Sequence, residues 1–162
     1  MNNTTVTEDL LRTASRFWLM KSEPGECSLA APGRRVSWFG IRNYQARNFM
    51  RDDMTIGDAV LFYHSSCAKP GIAGIARIAS DVYPDELQFD PESEYYDPKS
   101  TKENPRWLTL DVEALFKCPV VEIGRLREEP ELASMRVLQK GNRLSITPVE
   151  KEEFAFIVRN LL

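Results

Sequence analysis

The clearest periodicity in the chain runs from Leu108 to Phe116. Leu108, Leu110, Val112, Ala114 and Phe116 face one way, and Thr109, Asp111 and Glu113 the other. A repeat of two marks a half-buried strand, which Cys118-Pro119 is expected to stop. A different period closes the sequence: Phe154, Ile157, Val158 and Leu161 recur at i, i+3, i+4 and i+7, the pattern of an amphipathic helix packed on a sheet. Thr147-Pro148-Val149-Glu150 offers that helix a start, joining a capping box to proline at the first helical position.

The other apolar runs are short. Arg16–Met20 and Ala59–His64 are rich in strand formers, and Ile72–Val82 alternates around small residues and pairs with the latter as a hairpin. Arg35–Phe39 and Leu144–Ile146 read as shorter strands, while Pro24-Gly25 and Pro32-Gly33 mark turns. Asn43 to Arg51 lacks Gly and Pro and reads as a short helix, as do Ile123–Glu128 and Pro130–Met135. Residues 84–106 form a long excursion rich in Pro, Asp, Glu and Ser, with Phe89, Tyr95 and Tyr96 inside it and Trp107 at its exit. A loop of that length is either a functional lid or an insertion held down by its aromatics. Five or six strands with peripheral short helices make an α+β domain built on a curved mixed sheet or small open barrel. At 162 residues the chain suits one core. Residues 16–162 are therefore read as a single domain behind a mobile arm, 1–15, with a weak helical turn around Glu8 to Thr13.

Composition narrows the function more than the fold. No apolar stretch is long enough to span a membrane, and the polar first sixteen residues lack the pattern of a secretory leader. Three widely spaced cysteines, Cys27, Cys67 and Cys118, fit neither a disulfide framework nor a zinc pattern, so a reducing, cytoplasmic setting is expected. Residues 1–51 carry eight Lys/Arg and four Asp/Glu, whereas residues 52–162 carry thirteen and twenty. A basic segment on an acidic body permits a local anion-binding face and argues against a broad DNA-coating surface.

His64 is the single histidine, so any Ser/His or Cys/His pair must use it as base. In His64-Ser65-Ser66-Cys67 sequential neighbours on an extended chain face opposite ways, which leaves Ser66 sharing a face with His64. No nucleophile elbow surrounds either serine, and His64 reads as a ligand contact or a structural hydrogen-bonding residue ahead of a catalytic one. Asp52-Asp53, Asp85-Glu86, Glu128-Glu129 and Glu152-Glu153 read as solvated turn or helix residues. The dense stretch is Trp18 to Pro24 with Trp38 to Asn48, where aromatics, cations and amides interleave. A planar heteroaromatic ligand uses flat faces for stacking, amides or carboxylates for its polar edge, and cations for its phosphate. A core containing Trp18 and Trp38, with polar turns around it, would show the same residues.

Several blocks then resemble one family. They are Trp18-Leu19-Met20-Lys21-Ser22-Glu23-Pro24, Gly40-Ile41-Arg42-Asn43-Tyr44-Gln45-Ala46-Arg47-Asn48, Phe62-Tyr63-His64-Ser65, Tyr95-Tyr96-Asp97-Pro98-Lys99, Asn104-Pro105-Arg106-Trp107 and Arg143-Leu144-Ser145. In this order, from about Phe17 to Val149, they resemble the EVE domain family of the PUA-like superfamily, which also holds the YTH and ASCH domains. The resemblance implies a PUA-like pseudobarrel with a pocket on one face. It also implies a non-enzymatic reader that flips a modified base of DNA or RNA, such as a 5-methylcytosine-type mark, into an aromatic cage. Carried over by position, Lys21, Ser22 and Glu23 line the rim and Trp38 and Trp107 are the cage aromatics. Arg42, Asn43 and Tyr44 sit at the mouth, Tyr63 and His64 beside it, and Arg143 and Ser145 close the C-terminal side. Phe39 departs from a commonly acidic residue and Cys27 from a frequent aromatic. No cofactor and no metal are implied. The alternatives are a small hydrolase or nuclease acting on RNA or nucleosides through His64 or Lys21 in the same cleft, and a plain RNA- or protein-interaction module.

Overall fold

A computed structural model of the chain describes residues 2–23 and 31–162. The turn expected at Pro24-Gly25, and Cys27, lie outside the described residues. The mixed α+β architecture stands. Six strands form one sheet: β1 (Phe17–Ser22), β2 (Arg35–Ser37), β3 (Ala59–His64), β4 (Gly71–Ile78), β7 (Asp111–Glu122) and β8 (Ile146–Val149), in the order β2-β7-β4-β3-β1-β8. β5 (Tyr83–Pro84) and β6 (Leu108–Thr109) make a separate ladder at the base of the excursion. β1 and β3 run parallel, Phe17 opposite Ala59 and Ser22 opposite His64, while the other pairings of the sheet are antiparallel. A parallel pair needs a crossover of a dozen residues or more. That crossover carries β2, residues 38–42 and the short helix α2 (Tyr44–Asn48), which continues into one π-helical turn at Phe49–Asp53.

Central strands are dry on both faces. Phe17 and Leu19 of β1 join Leu61, Ile75, Phe154 and Ile157 in one core, and Trp18 and Met20 join Val60, Phe62, Trp38 and Ala46 in the other. Each Val, Leu, Ile, Phe or Met side chain so buried contributes about 1.5–3 kcal/mol. Trp18 is anchored as well: its indole N–H donates to Asp58 Oδ2 at 2.9 Å. That fully buried carboxylate also accepts from the Arg16 amide and from the amide and hydroxyl of Thr55. A buried charge is tolerable when its lone pairs are filled in this way, and Trp18 is a core residue.

Four local expectations are corrected. Residues 3–13 do not stand off as an arm but form α1 (Asn3–Thr13), capped by the Asn2 side chain on Thr5 N at 2.8 Å. α1 buries Leu10 and Leu11 and packs on α3 (Lys151–Asn160), where Arg159 bonds Glu8 at 2.7 Å. Cys118-Pro119 does not stop β7; the register against β4 jumps from Gly74↔Lys117 to Ile72↔Val121, and Pro119 falls in the bulge, where its missing N–H does no harm. A second slip, between Ile75↔Phe116 and Ala76↔Ala114, breaks the period of two, so Val112 and Ala114 enter one core and Phe116 the other. Thr147 and Pro148 belong to β8, an edge strand that can hold proline, and the helix begins three residues later with Glu150 and Glu153 as the capping box.

Candidate functional site

The parallel pair decides where the site forms. β1 and β3 end side by side, and beyond them the Ser65 amide donates to the Ser22 carbonyl at 3.0 Å. On the other flank the Lys21 amide donates to the Ser145 carbonyl at 2.7 Å. Where these chains diverge, residues 38–42 pass across and leave a cavity of about 330 Å³. Lys21, Ser22 and Glu23 line it from β1 and the residue after, and Trp38, Phe39, Gly40, Ile41 and Arg42 from the crossover. Ser65 and Ser66 contribute from the β3–β4 turn, and Arg143 and Ser145 from the C-terminal side. Ser66 adopts φ 53°, a left-handed conformation uncommon outside glycine.

The aromatic wall is less open than a cage. Trp38 is 2% exposed, packs edge-on against Phe62 at 5.3 Å, and donates its amide to Leu110 O at 2.8 Å. Among the described residues nothing accepts from its indole N–H, whereas the indole N–H groups of Trp18 and Trp107 are held by Asp58 and Asp97. Phe39, beside it on the lining, meets the edge of Tyr95 at 6.1 Å.

The three cations differ in what they are free to do. Arg42 is committed: Nη1 bonds Asp85 Oδ2 at 3.1 Å, Nε and Nη2 bond the Tyr95 carbonyl at 3.1 and 3.0 Å, and the guanidinium lies over Tyr95 and Trp107 at 5.3 and 5.6 Å. Lys21 borders the cavity, but its ammonium lies 5.8 Å from the centroid of Tyr63, its register partner, and burial pulls its pKa down. Arg143 is exposed and makes no ion pair among the described residues.

Five expected ligand contacts stand elsewhere. Asn43 spends its side chain capping α2, accepting from Ala46 N at 3.0 Å. Tyr44 is stacked on Trp107 at 4.8 Å, and Trp107 is buried with its Nε1 on Asp97 at 2.8 Å, so neither forms a cage with Trp38. Tyr63 points into the core beneath the helices, following the alternation of β3. His64 leans edge-on against Phe62 at 5.3 Å, with Nε2 shut from solvent and without a partner, and burial lowers its pKa. Among the described residues it makes no hydrogen bond to Ser65, Ser66 or Cys67, so no nucleophile–base pair is formed.

The support of the site escaped the sequence reading. Asp85, read as a solvated turn residue, is 2% exposed and accepts from Gly40 N at 2.8 Å, Leu87 N at 2.9 Å and Arg42. Gly40 has φ +83°, and a Cβ there would lie 2.9 Å from Tyr95 Cζ. Buried Gln88 closes the neck of the excursion, donating to the Asp85 and Trp107 carbonyls and accepting from the amides of Arg106 and Trp107. The excursion is thus an insertion clasped to the cavity lip. Among the described residues no His, Cys, Asp or Glu cluster could hold a metal ion, and no helix is long and apolar enough to cross a membrane.

Comparison with known proteins agrees in sequence and shape. The EVE domain family model matches residues 16–160. Human thymocyte nuclear protein 1 is 38% identical over 177 residues, spanning 96% of this chain and 78% of that protein. A crystal structure from Pseudomonas putida is 50% identical with a TM-score of 0.82, covering 88% of this chain and 97% of its own. Human THYN1, solved in complex with 5-methylcytosine-containing DNA, is 37% identical with a TM-score of 0.80, covering 90% of this chain and 96% of its own.

Proposed function

Since the chain belongs to the EVE domain family, we propose that it binds a modified nucleic-acid base without transforming it, and that the base is a 5-methylcytosine-type mark in DNA. The observation that carries this reading is the cavity at the end of β1 and β3. Among the described residues it joins a tryptophan wall with an unclaimed N–H, four serines, one carboxylate and a guanidinium outside any ion pair. A volume of about 330 Å³ lies at the small end of ligand sites, which run from about 300 to 1,000 Å³, and suits one base rather than a large cofactor. The human relative solved with 5-methylcytosine-containing DNA supports the choice of mark.

In this reading one nucleotide leaves its stack and enters beside Trp38 and Phe39. Glu23 and the Trp38 N–H address its polar edge, Arg143 its phosphate, and Arg42 shapes the lip. Extrusion costs a few kcal/mol. Contact with the aromatic wall, at the low end of about 1–3 kcal/mol because Trp38 is 2% exposed, and hydrogen bonds of about 0.5–1.5 kcal/mol each offset it. Burying a single methyl contributes about 0.8 kcal/mol, which is about fourfold in affinity, so preference for the mark beyond that comes from the polar groups.

The test is fluorescence anisotropy with matched oligonucleotides carrying cytosine or 5-methylcytosine. Wild type is expected to prefer the methylated one. Trp38→Phe, which keeps a ring but removes the N–H, is expected to weaken both and blunt the preference, with near-UV circular dichroism reporting the fold. Equal binding of the two oligonucleotides by wild type, or an unchanged preference in Trp38→Phe, would overturn the reading.

A further inference from the structure

We infer that the outward face of Tyr44 is a second nucleobase subsite, taking the base next to the one held in the cavity; this rests on the reading above. Tyr44 is 50% exposed, unusual for a residue whose inner face is already stacked, at 4.8 Å and 28°, on Trp107. Trp107 does not yield, because it is 6% exposed and its indole N–H is held by Asp97. The outer ring face is therefore a rigid, flat surface backed by a fixed partner, and a ligand stacking on it has little side-chain freedom to freeze out.

The surroundings say what kind of ligand fits. Arg47 lies 4.7 Å from the Tyr44 centroid yet also 6.0 Å from that of Trp107. A guanidinium on the outer face of Tyr44 would stand much farther from Trp107, so Arg47 sits beside the stack and leaves that face open. Its head is fixed by Asn48 Oδ1 at 2.8 Å and the Arg106 carbonyl at 3.0 Å; among the described residues it makes no ion pair, and the carboxylate that feels its charge, Asp52, is bonded to Arg51. An open π-face flanked by a fixed cation that makes no ion pair among the described residues complements a flat base and its phosphate. Apolar protein side chains seek a concavity, whereas the Tyr44 ring stands half exposed on the surface.

Position ties this face to the cavity. Tyr44 follows the lip residue Arg42 by two residues, so their Cα atoms are within about 7 Å by the reach of the chain. The Arg42 guanidinium at the lip also lies 5.6 Å from the Trp107 ring on which Tyr44 is stacked at 4.8 Å, so one strand can place an unstacked base in the cavity and its neighbour on Tyr44.

The experiment uses a 5-methylcytosine oligonucleotide with 2-aminopurine on one or the other side of the mark, and the free 5-methylcytosine mononucleotide as second probe. Stacking on Tyr44 is expected to quench 2-aminopurine on one side in wild type and in Tyr44→Phe. Tyr44→Ala is expected to lose that quenching and about 5- to 150-fold in oligonucleotide affinity, while binding the mononucleotide as wild type does. Oligonucleotide binding by Tyr44→Ala within twofold of wild type, with quenching retained, would overturn the subsite and leave the cavity reading intact. Failure of wild type to bind either probe would overturn both.

Discussion

Asp85 holds two parts of the molecule together, and removing its carboxylate is the sharpest test of how the cavity is built. The side chain is 2% exposed and accepts from Gly40 N at 2.8 Å, Leu87 N at 2.9 Å and Arg42 Nη1 at 3.1 Å. Asp85→Ala strands two amides and removes the counter-charge of Arg42. Removing one partner of a buried ion pair destabilises by about 3–5 kcal/mol. The Arg42 side chain is 21% exposed and keeps the Tyr95 carbonyl, so the low end, about 3 kcal/mol, applies. With an m-value of about 2 kcal/mol/M, the urea midpoint read by tryptophan fluorescence falls by about 1.5 M. Adding Arg42→Ala to that background should cost less than Arg42→Ala alone, because the ion pair is already gone and the bonds to the Tyr95 carbonyl are what remains to be lost. A midpoint within about 0.3 M of wild type would show that the excursion and the lip are held by something else.

Three further outcomes are expected. His64, the single histidine, is held below its ordinary pKa of 6.5 by burial, with Lys117 adding to the effect. The unfolded chain therefore binds the extra proton first, and stability drops on acidification through 6.5. Urea midpoints at pH 7.5 and 5.5 should differ in wild type and converge in His64→Leu; a flat wild-type profile contradicts this. A Cβ at Gly71 would lie 2.2 Å from the Val121 carbonyl oxygen, a backbone atom that cannot rotate away. Gly71→Ala should cost about 3 kcal/mol, lowering Tm by roughly 6–12 °C in calorimetry, and a shift under about 2 °C would refute the close approach of β4 and β7. Arg143→Ala should weaken methylated and unmethylated oligonucleotides alike and reduce the slope of log K against log salt by about one; an unchanged slope removes it from the phosphate path.

What the chain reveals of itself depends on how local the cause is. The cores of β1, β3 and β4 were legible because consecutive side chains are consistently apolar there, and the cavity-lining group Lys21, Ser22, Glu23, Trp38 and Arg42 fell within two compact blocks. Phe116 was misplaced because a bulge reverses the facing of every residue after it, and only the partner strand determines where the bulge falls. The tie between Arg42 and Asp85 spans 43 positions. No pattern near Asp85 separates a buried acceptor of three bonds from an ordinary turn aspartate. Tyr44 and Trp107 were recognised as aromatic candidates, yet their contact is with each other, a pairing set by the fold of the excursion rather than by any spacing.

The hydrogen bond from the Ser65 amide to the Ser22 carbonyl joins two residues of the cavity lining just past the ends of β1 and β3. Its deuterium uptake can occur only when the two chain exits part, so one backbone signal times the breathing of the pocket. No dye or label need be placed where the ligand goes, and slowing of that single exchange rate on adding an oligonucleotide would report occupancy from underneath.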